Sequence, residues 1–538
     1  MSSVSETAVH NDRIKFDVPA GLVHAMSNPD MYPHPVHRVD LRETHISKVF
    51  LAGDYVYKVK KPVSLGFLDF STLDKRHYFC TLEVSLNRRL APDVYIEVVP
   101  VTNVRGHYRL GGAGTIVEYA VKMRRLPETR SLRHLLRHKK IDSDAIERLA
   151  ERLVAYYHKA PHSAAIHRFG TLESIRSNCE DNFHQIAALG GDHVDTGLLD
   201  ITSSATSAFL DNRRELFTKR VSEGNIRDCH GDLRCGHIYD DDGIHIIDCI
   251  EFNERFRYSD IACDLAFLIM DIEYEGYPDV ANRLVDHVCR LSGDLHLYEL
   301  LDFYKCYRAL VRSKVCYISQ RETSGSDYLS KKFHRESNKY LLLAYHYAVR
   351  FTRPTLWIMC GLPASGKSTI ARYLSDILGI TVLRSDHIRK QLFGKQEGMP
   401  DIGPFENGIY SQGATALTYG RMLMLGQNHL EKGRSVILDA TFSRSHYRLE
   451  ALELARTMHT RVILIETRAS GKCLDARLAK RNSKSSLSDA RPQHLAHIQK
   501  SFEPLTDVSE DVHIVIDTTR SKNGNLQKIL SHHYRMSS

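Results

Sequence analysis

The 538-residue chain has no apolar run approaching the roughly 20 residues needed to cross a bilayer, which excludes a bilayer-spanning helix. Its first ten residues lack the basic-then-apolar order of a secretory signal. Its 11 cysteines include no C-x-x-C pair. Scattered thiols of this kind suit a reducing compartment, so a cytoplasmic protein is expected. Internal repeats and low-complexity tracts are missing too, so folded domains are expected rather than an array or a tail. Strong charge of one sign is also absent. A net charge of +8 over this length fits binding of anionic nucleotides but gives no argument for nucleic acid. With 42% hydrophobic and 26% charged residues the composition is globular, and the length calls for about two to four domains.

What is present is organised around one stretch, Gly361-Leu362-Pro363-Ala364-Ser365-Gly366-Lys367-Ser368-Thr369. It matches G-x-x-x-x-G-K-[ST] in full, between an apolar run (355–360) and a helical pattern (370–378) closed by Gly379. Glycines let such a loop turn its N–H groups inward, and the helix N-terminus adds partial positive charge. A nucleoside triphosphate is implied, with Lys367 on the β- and γ-phosphates and the Ser368 hydroxyl on Mg²⁺. Downstream, a strand at 380–383 leads into Arg384-Ser385-Asp386-His387-Ile388-Arg389. Asp386 could hold or deprotonate an acceptor hydroxyl, and Arg389 could bind an anionic part of the acceptor, because ligands bind at the carboxyl edge of a parallel sheet. Ser435–Asp439 is an apolar strand ending in an aspartate, the expected place for a residue holding Mg²⁺ through water. Arg477 and Arg481 stand at i and i+4 of a helical pattern, where they could close over transferring phosphates as a lid. The strand 513–517 completes an expected five-stranded sheet.

The longer upstream part reads differently. Residues 1–35 are an irregular, Pro- and His-containing lead-in. Two strand-like runs, 46–51 and 55–60, flank Ala52-Gly53-Asp54, and an amphipathic helical stretch follows at 73–90. More strands are expected at 94–101 and 116–123, giving a small strand-rich lobe at about 40–125. A large, mostly helical lobe then runs over about 126–350. The chain is expected to divide into halves 1–350 and 351–538, at the proline that precedes the phosphate-loop strand.

Within the upstream half, His230-Gly231-Asp232 is followed by His237 and by Asp248 at a strand end, then by Asp260 and Asp264. Phosphoryl transfer needs one carboxylate near the attacking hydroxyl and another on Mg²⁺, which Asp232 and Asp248 could supply. Lys58 on a strand and Glu83 on the next helix could pair and aim the lysine at phosphates. Cys229, His230, Cys235 and His237 offer a zinc alternative, but at a spacing unusual for zinc. Arg130, Arg133, Arg137, Lys139 and Lys140 form a basic run without aromatics, which reads as a solvated helix face.

Over residues 45–340 this set resembles the aminoglycoside phosphotransferase family, a branch of the protein-kinase-like fold. The resemblance implies that Asp232 is the base, that Asp248 is the metal-binding aspartate, and that Asp260 and Asp264 are supports. The family's metal-ligating asparagine is replaced by His237, a softer ligand than Mg²⁺ prefers. Residues 354–535 resemble small P-loop kinases such as gluconate kinases and zeta-toxin-type kinases. The whole chain is similar to a bacterial two-domain family, an aminoglycoside phosphotransferase-like domain fused to a P-loop, AAA-family ATP-binding domain. The implied fold is an α+β bilobal protein-kinase-like domain followed by an α/β P-loop NTPase domain with a parallel sheet. The implied activity is Mg²⁺-dependent transfer of the ATP γ-phosphoryl group to an unidentified small molecule. Two alternatives remain: a nucleotide-regulated sensor in which a degenerate upstream lobe gates the P-loop kinase, and a polynucleotide 5′-hydroxyl kinase. The acidic segment 271–275 is a candidate lining for a cationic ligand in the sensor case.

Overall fold

The computed structural model describes residues 17–66, 68–322, 327–394, 408–482 and 492–537. The first ten residues, read above for a signal, lie outside these. The chain packs as two compact units, 1–175 with 217–284 and 176–216 with 285–538. Among the described residues no helix is long and apolar enough to cross a membrane.

The first unit opens with an antiparallel sheet in the order Val39–Glu43, Ser47–Ala52, Tyr55–Lys60, Thr115–Arg124, Tyr95–Val104, His107–Leu110. Side chains alternate between the faces of a strand, so Tyr55–Lys60 sends Tyr57 and Val59 one way and Lys58 and Lys60 the other. Tyr57 and Val59 join Phe50, Val101 and Ala120 in a core capped by Val18, Leu22, Met26 and Tyr32. The stretch expected to be an irregular lead-in therefore contains a helix, Ala20–Met26, that covers this face. Its apolar i, i+4 pair was too short a signal to read. The helix Leu73–Asn87, N-capped by Thr72, covers the opposite face through Cys80 and Val84.

The rest of this unit is built on helices Ser143–Lys159 and Ile261–Tyr274, the latter buried along almost its whole length. Two short antiparallel strand pairs, Ile226–Asp228 with Tyr258–Asp260 and Ile238–Asp240 with Ile244–Ile246, flank the loop 229–237. The unit is thus α+β, an antiparallel sheet with its own covering helices followed by a mostly helical part.

The second unit contains an all-parallel sheet in the order Thr381–Arg384, Val436–Asp439, Thr355–Cys360, Arg461–Arg468, His513–Asp517. Thr355–Cys360 is central and buried on both faces, as its unbroken apolar run requires. Arg461–Arg468 supplies the fifth strand, which the sequence had not located. The helix Lys367–Leu378 follows the central strand and ends at Gly379 in the left-handed conformation (φ 59°). This is the α/β P-loop fold. Helices Thr196–Asn212, Leu297–Glu322 and Asp327–Thr352 belong to the same unit and pack on one another.

Candidate active sites

In the second unit the backbone sets the geometry. Gly361 (φ 138°) and Gly366 (φ 101°) turn the loop between strand and helix. A Cβ on Gly361 would lie 2.5 Å from the Thr467 carbonyl oxygen, so the loop sits flush against the neighbouring strand. The loop is braced from behind. Ser365 Oγ lies 2.5 Å from Thr467 Oγ1, and Thr518 Oγ1 donates to the Ser365 carbonyl at 2.6 Å. Lys367 Nζ folds over the front, donating to the carbonyls of Gly361 (3.0 Å) and Leu362 (2.8 Å). Pro363 and Ala364 are buried, while Leu362 and Ser368 are half-buried and Thr369 is exposed.

Sheet register places the acidic candidates. Asp439 is paired with Met359 on one side and with Arg384 on the other. One row across three strands thus ends two residues short of the loop at one side and two residues short of Asp386 at the other. Asp439 is 5% exposed, and Arg384 Nε lies 3.4 Å from its Oδ2. Arg384 was not singled out from the sequence, although its place at a strand end next to an acidic strand end was a usable signal. Asp386 is half-buried in the first turn of helix Ser385–Leu392.

The arginines are placed differently from their sequence reading. Arg389 is buried, donating to the Ile409 carbonyl (2.6 Å) and Thr415 Oγ1 (3.2 Å), with its guanidinium 4.9 Å over the Tyr410 ring. Arg477 donates to the Ala364 carbonyl (3.2 Å) and to Thr518 Oγ1 and O (2.9 Å each), so it buttresses the phosphate loop. The Arg481 side chain lies outside the described residues.

In the first unit Lys58 and Glu83 do meet, Nζ to Oε1 at 2.9 Å, and Lys58 also reaches Asp248 Oδ1 at 2.6 Å. Burial alone would raise the Asp248 pKa, but the Lys58 ammonium, then His237, hold it well below the usual carboxylate range. Asp248 itself takes a left-handed backbone (φ 67°), uncommon for a residue other than glycine. His237 lies between the two aspartates, Nδ1 3.6 Å from Asp232 Oδ2 and Nε2 3.7 Å from Asp248 Oδ2. Burial, with Arg234 beside it, lowers its pKa and favours the neutral ring. Asp232 is held in bidentate fashion by Arg234, Nε to Oδ1 and Nη2 to Oδ2 at 2.8 Å each. Sequence reading had passed over Arg234.

The loop that carries these groups is pinned by Asp264, whose carboxylate accepts from the backbone N–H of His230 (3.2 Å) and Gly231 (2.8 Å). Asp260 caps its helix and binds Arg220 through both oxygens. Among the described residues no three His, Cys, Asp or Glu side chains converge as a metal cage, so Cys229, His230, Cys235 and His237 do not form the zinc alternative. The basic run is mostly exposed, as a solvated face is, with only Arg133 half-buried, and two of its arginines are paired. Arg133 contacts Asp271 (3.2 Å) and Glu275 (2.9 Å), and Arg137 contacts Glu275 (2.7 Å). Two of the acidic groups considered for a cationic ligand are therefore already neutralised.

Residues 356–505 match the AAA-domain family. Over 436 residues the chain is 30% identical to an uncharacterized protein of Mycobacterium tuberculosis, covering 80% of this chain and 84% of that one. Among solved structures, a gluconokinase from Sinorhizobium meliloti aligns at 16% identity and TM-score 0.24, over 34% of this chain and 94% of its own. A choline/ethanolamine kinase family protein from Mesorhizobium loti aligns at 13% identity and TM-score 0.37, over 61% of this chain and 99% of its own.

Proposed function

The chain belongs to the family of the Mycobacterium tuberculosis protein that it matches, and we propose that it is an ATP-dependent phosphotransferase whose catalyst is the P-loop half, 351–538. The observation that supports this is the register row Met359–Asp439–Arg384: Asp439 ends the strand next to the one that feeds the phosphate loop, and Asp386 follows two residues past the strand beyond it, all at the carboxyl edge of one parallel sheet.

The residues fit a nucleotide with Mg²⁺. A Cβ at Gly361 would collide with the Thr467 carbonyl oxygen, and Lys367 donates to two carbonyl oxygens of the loop. Ser368 and Asp439 would hold Mg²⁺, which when bound neutralises charge on the β- and γ-phosphate oxygens. Lys367 binds those phosphates, and the helix N-terminus behind it favours their charge. Asp386 orients the acceptor hydroxyl and takes its proton as the oxygen attacks the γ-phosphorus. The bond to the β-phosphate oxygen breaks and ADP leaves. Arg477 keeps the loop in place, Arg384 faces the metal-side carboxylate, and Arg389 holds the helix that carries Asp386. An alcohol, sugar or other small hydroxyl compound is the acceptor class.

The upstream half, 1–350, is proposed as a second nucleotide site, with Lys58 and Glu83 on the phosphates, Asp248 and His237 on the metal side and Asp232 as base. One observation favours the sensor reading for this half. Both Asp232 oxygens are engaged by Arg234, and Lys58 is bound to Asp248, so both groups must be released before transfer.

The test is Mg²⁺-dependent ATP consumption by the full chain over pooled alcohols, sugars, nucleosides and aminoglycosides. With the upstream half silenced by Asp232→Ala, Asp386→Asn should stop transfer and keep ATP binding. Normal turnover in that variant refutes its role. Consumption that persists in Lys367→Ala and disappears with an added Asp232→Ala marks the upstream half as a kinase. Nucleotide binding there without consumption marks it as a sensor.

A further inference from the structure

Lys60 is two residues beyond Lys58 on the same face of one strand, and it is completely buried. Its ammonium lies 2.6 Å from Glu83 Oε2, contacts Glu251 Oε1, and stands 4.9 Å over the Phe70 ring. Glu251 is three residues beyond Asp248 and is also buried. Five charged groups therefore alternate in sign along one row: Glu251, Lys60, Glu83, Lys58, Asp248. Glu83 is the shared member, giving Oε2 to Lys60 and Oε1 to Lys58. Burial works against the charge on Lys60, but Glu251 and then Glu83 raise its pKa and keep it an ammonium.

We propose that Lys60 and Glu251 are a positioning pair for the upstream nucleotide site, an inference that rests on reading Lys58 and Asp248 as that site. Lys60 is too deeply buried to meet a ligand. Its pair instead does two things that the exposed end of the row needs. It fixes one oxygen of Glu83, so the other is presented to Lys58 in a single orientation. It also ties the segment 248–251 to the strand 55–60, which sets the distance between Lys58 and Asp248. A nucleotide phosphate would compete with Asp248 for Lys58. The pair Lys60–Glu251 has no such competitor, so it holds the two walls in register while the Lys58–Asp248 contact opens. A buried ion pair adds little net stability over apolar groups of similar size, so its placement directly behind the working lysine points to geometry.

The experiment uses the full chain carrying Lys367→Ala, which weakens the downstream loop, and measures binding of a fluorescent ATP analogue with Mg²⁺. The part of that binding lost on adding Lys58→Met belongs to the upstream site. Replacing the pair together, Lys60→Met with Glu251→Gln, leaves no unpaired charge from either member. We expect about a 10-fold weaker upstream affinity with the melting temperature nearly unchanged, and recovery to within about 3-fold in Lys60→Arg, on the scale of one charge-assisted contact. Unchanged affinity in the double variant overturns the inference and leaves the upstream site standing. If the double variant does not fold, Glu251→Gln alone decides. There Lys60 draws Glu83 away from Lys58, so affinity should fall severalfold, and an unchanged value overturns the pair's role. If no binding is sensitive to Lys58→Met, the upstream site itself is refuted and the inference falls with it.

Discussion

Lys58 and Lys367 are both ammonium groups at the mouth of a proposed phosphate site, and they are held in opposite ways. Lys58 sits between two carboxylates, Glu83 and Asp248, so its charge is already compensated by side chains. Lys367 is held by carbonyl oxygens of its own loop, which are dipoles. A phosphate arriving at Lys367 also meets the N-terminus of the helix that the loop leads into. A phosphate arriving at Lys58 must displace Asp248, whose released charge then needs a cation. The downstream loop thus offers backbone dipoles to a proposed phosphate, whereas the proposed upstream site is a network of paired charges.

The comparison can be broken most severely at Glu83. Glu83 bridges two buried lysines, so removing its charge breaks two ion pairs at once and leaves each lysine with a single carboxylate, Glu251 for Lys60 and Asp248 for Lys58. Glu83→Gln is expected to cost roughly 3–5 kcal/mol of stability, read as a fall in the urea midpoint of the first unit. A loss below about 1 kcal/mol would mean that the row is solvated and weakly coupled.

Lys367→Ala should behave in the opposite sense. It stands at the end of the loop and donates to two carbonyls there, so stability should barely change while ATP turnover at this site falls by roughly 100-fold or more, about 3 kcal/mol of transition-state stabilisation. Unchanged turnover, with the upstream site silenced by Asp232→Ala, would remove the loop from the mechanism.

Acid should separate the units next. Burial lowers the His230 pKa to about 4, and the neutral ring already uses both nitrogens. Nε2 donates to the Ile247 carbonyl and Nδ1 accepts from the Asp232 N–H. The unfolded chain therefore binds a proton on this residue between pH 6.5 and 4 while the folded chain does not. Stability is fully present above pH 6.5 and is lost as pH falls, by about 2 kcal/mol at pH 5 for a shift of this size. Urea unfolding of wild type and His230→Gln at pH 7 and pH 5 checks this, and equal pH slopes would refute it. The smallest effect is expected at Gly379, where the left-handed cap is required but space is open. The nearest atom to an added Cβ, Arg213 Nη1, is at an ordinary 3.5 Å. Gly379→Ala should cost about 1 kcal/mol, visible as a small drop in melting temperature with ATP turnover unchanged.

Local physics made parts of this protein legible in sequence. The phosphate loop could be read because its chemistry is contiguous: two glycines, a lysine and a hydroxyl within nine residues, between an apolar run and a helix. The strands ending at Asp439 and Asp517 were readable for the same reason, since a short apolar run that stops at a carboxylate is a local pattern. Asp232, Asp248 and His237 lie within 17 residues of chain, and the fold does bring them together. Lys58 on a strand and Glu83 on the next helix were readable as candidates for a pair, and the fold brings them to 2.9 Å.

Tertiary structure decided which partner each charge takes, because that depends on groups far apart in the chain. Nothing local says that Arg389 turns to the Ile409 carbonyl or that Arg477 braces Ala364 and Thr518. Nor does it say that Arg133 and Arg137 are spent on Asp271 and Glu275. An arginine's reach is long and its partner is whichever carboxylate or carbonyl packing leaves within hydrogen-bond distance. Lys60 shows the limit most clearly. In sequence it is one of three lysines in four residues, indistinguishable from its neighbours. Only strand alternation, a helix carrying Glu83 and a distant Glu251 make it the buried member of a charge row.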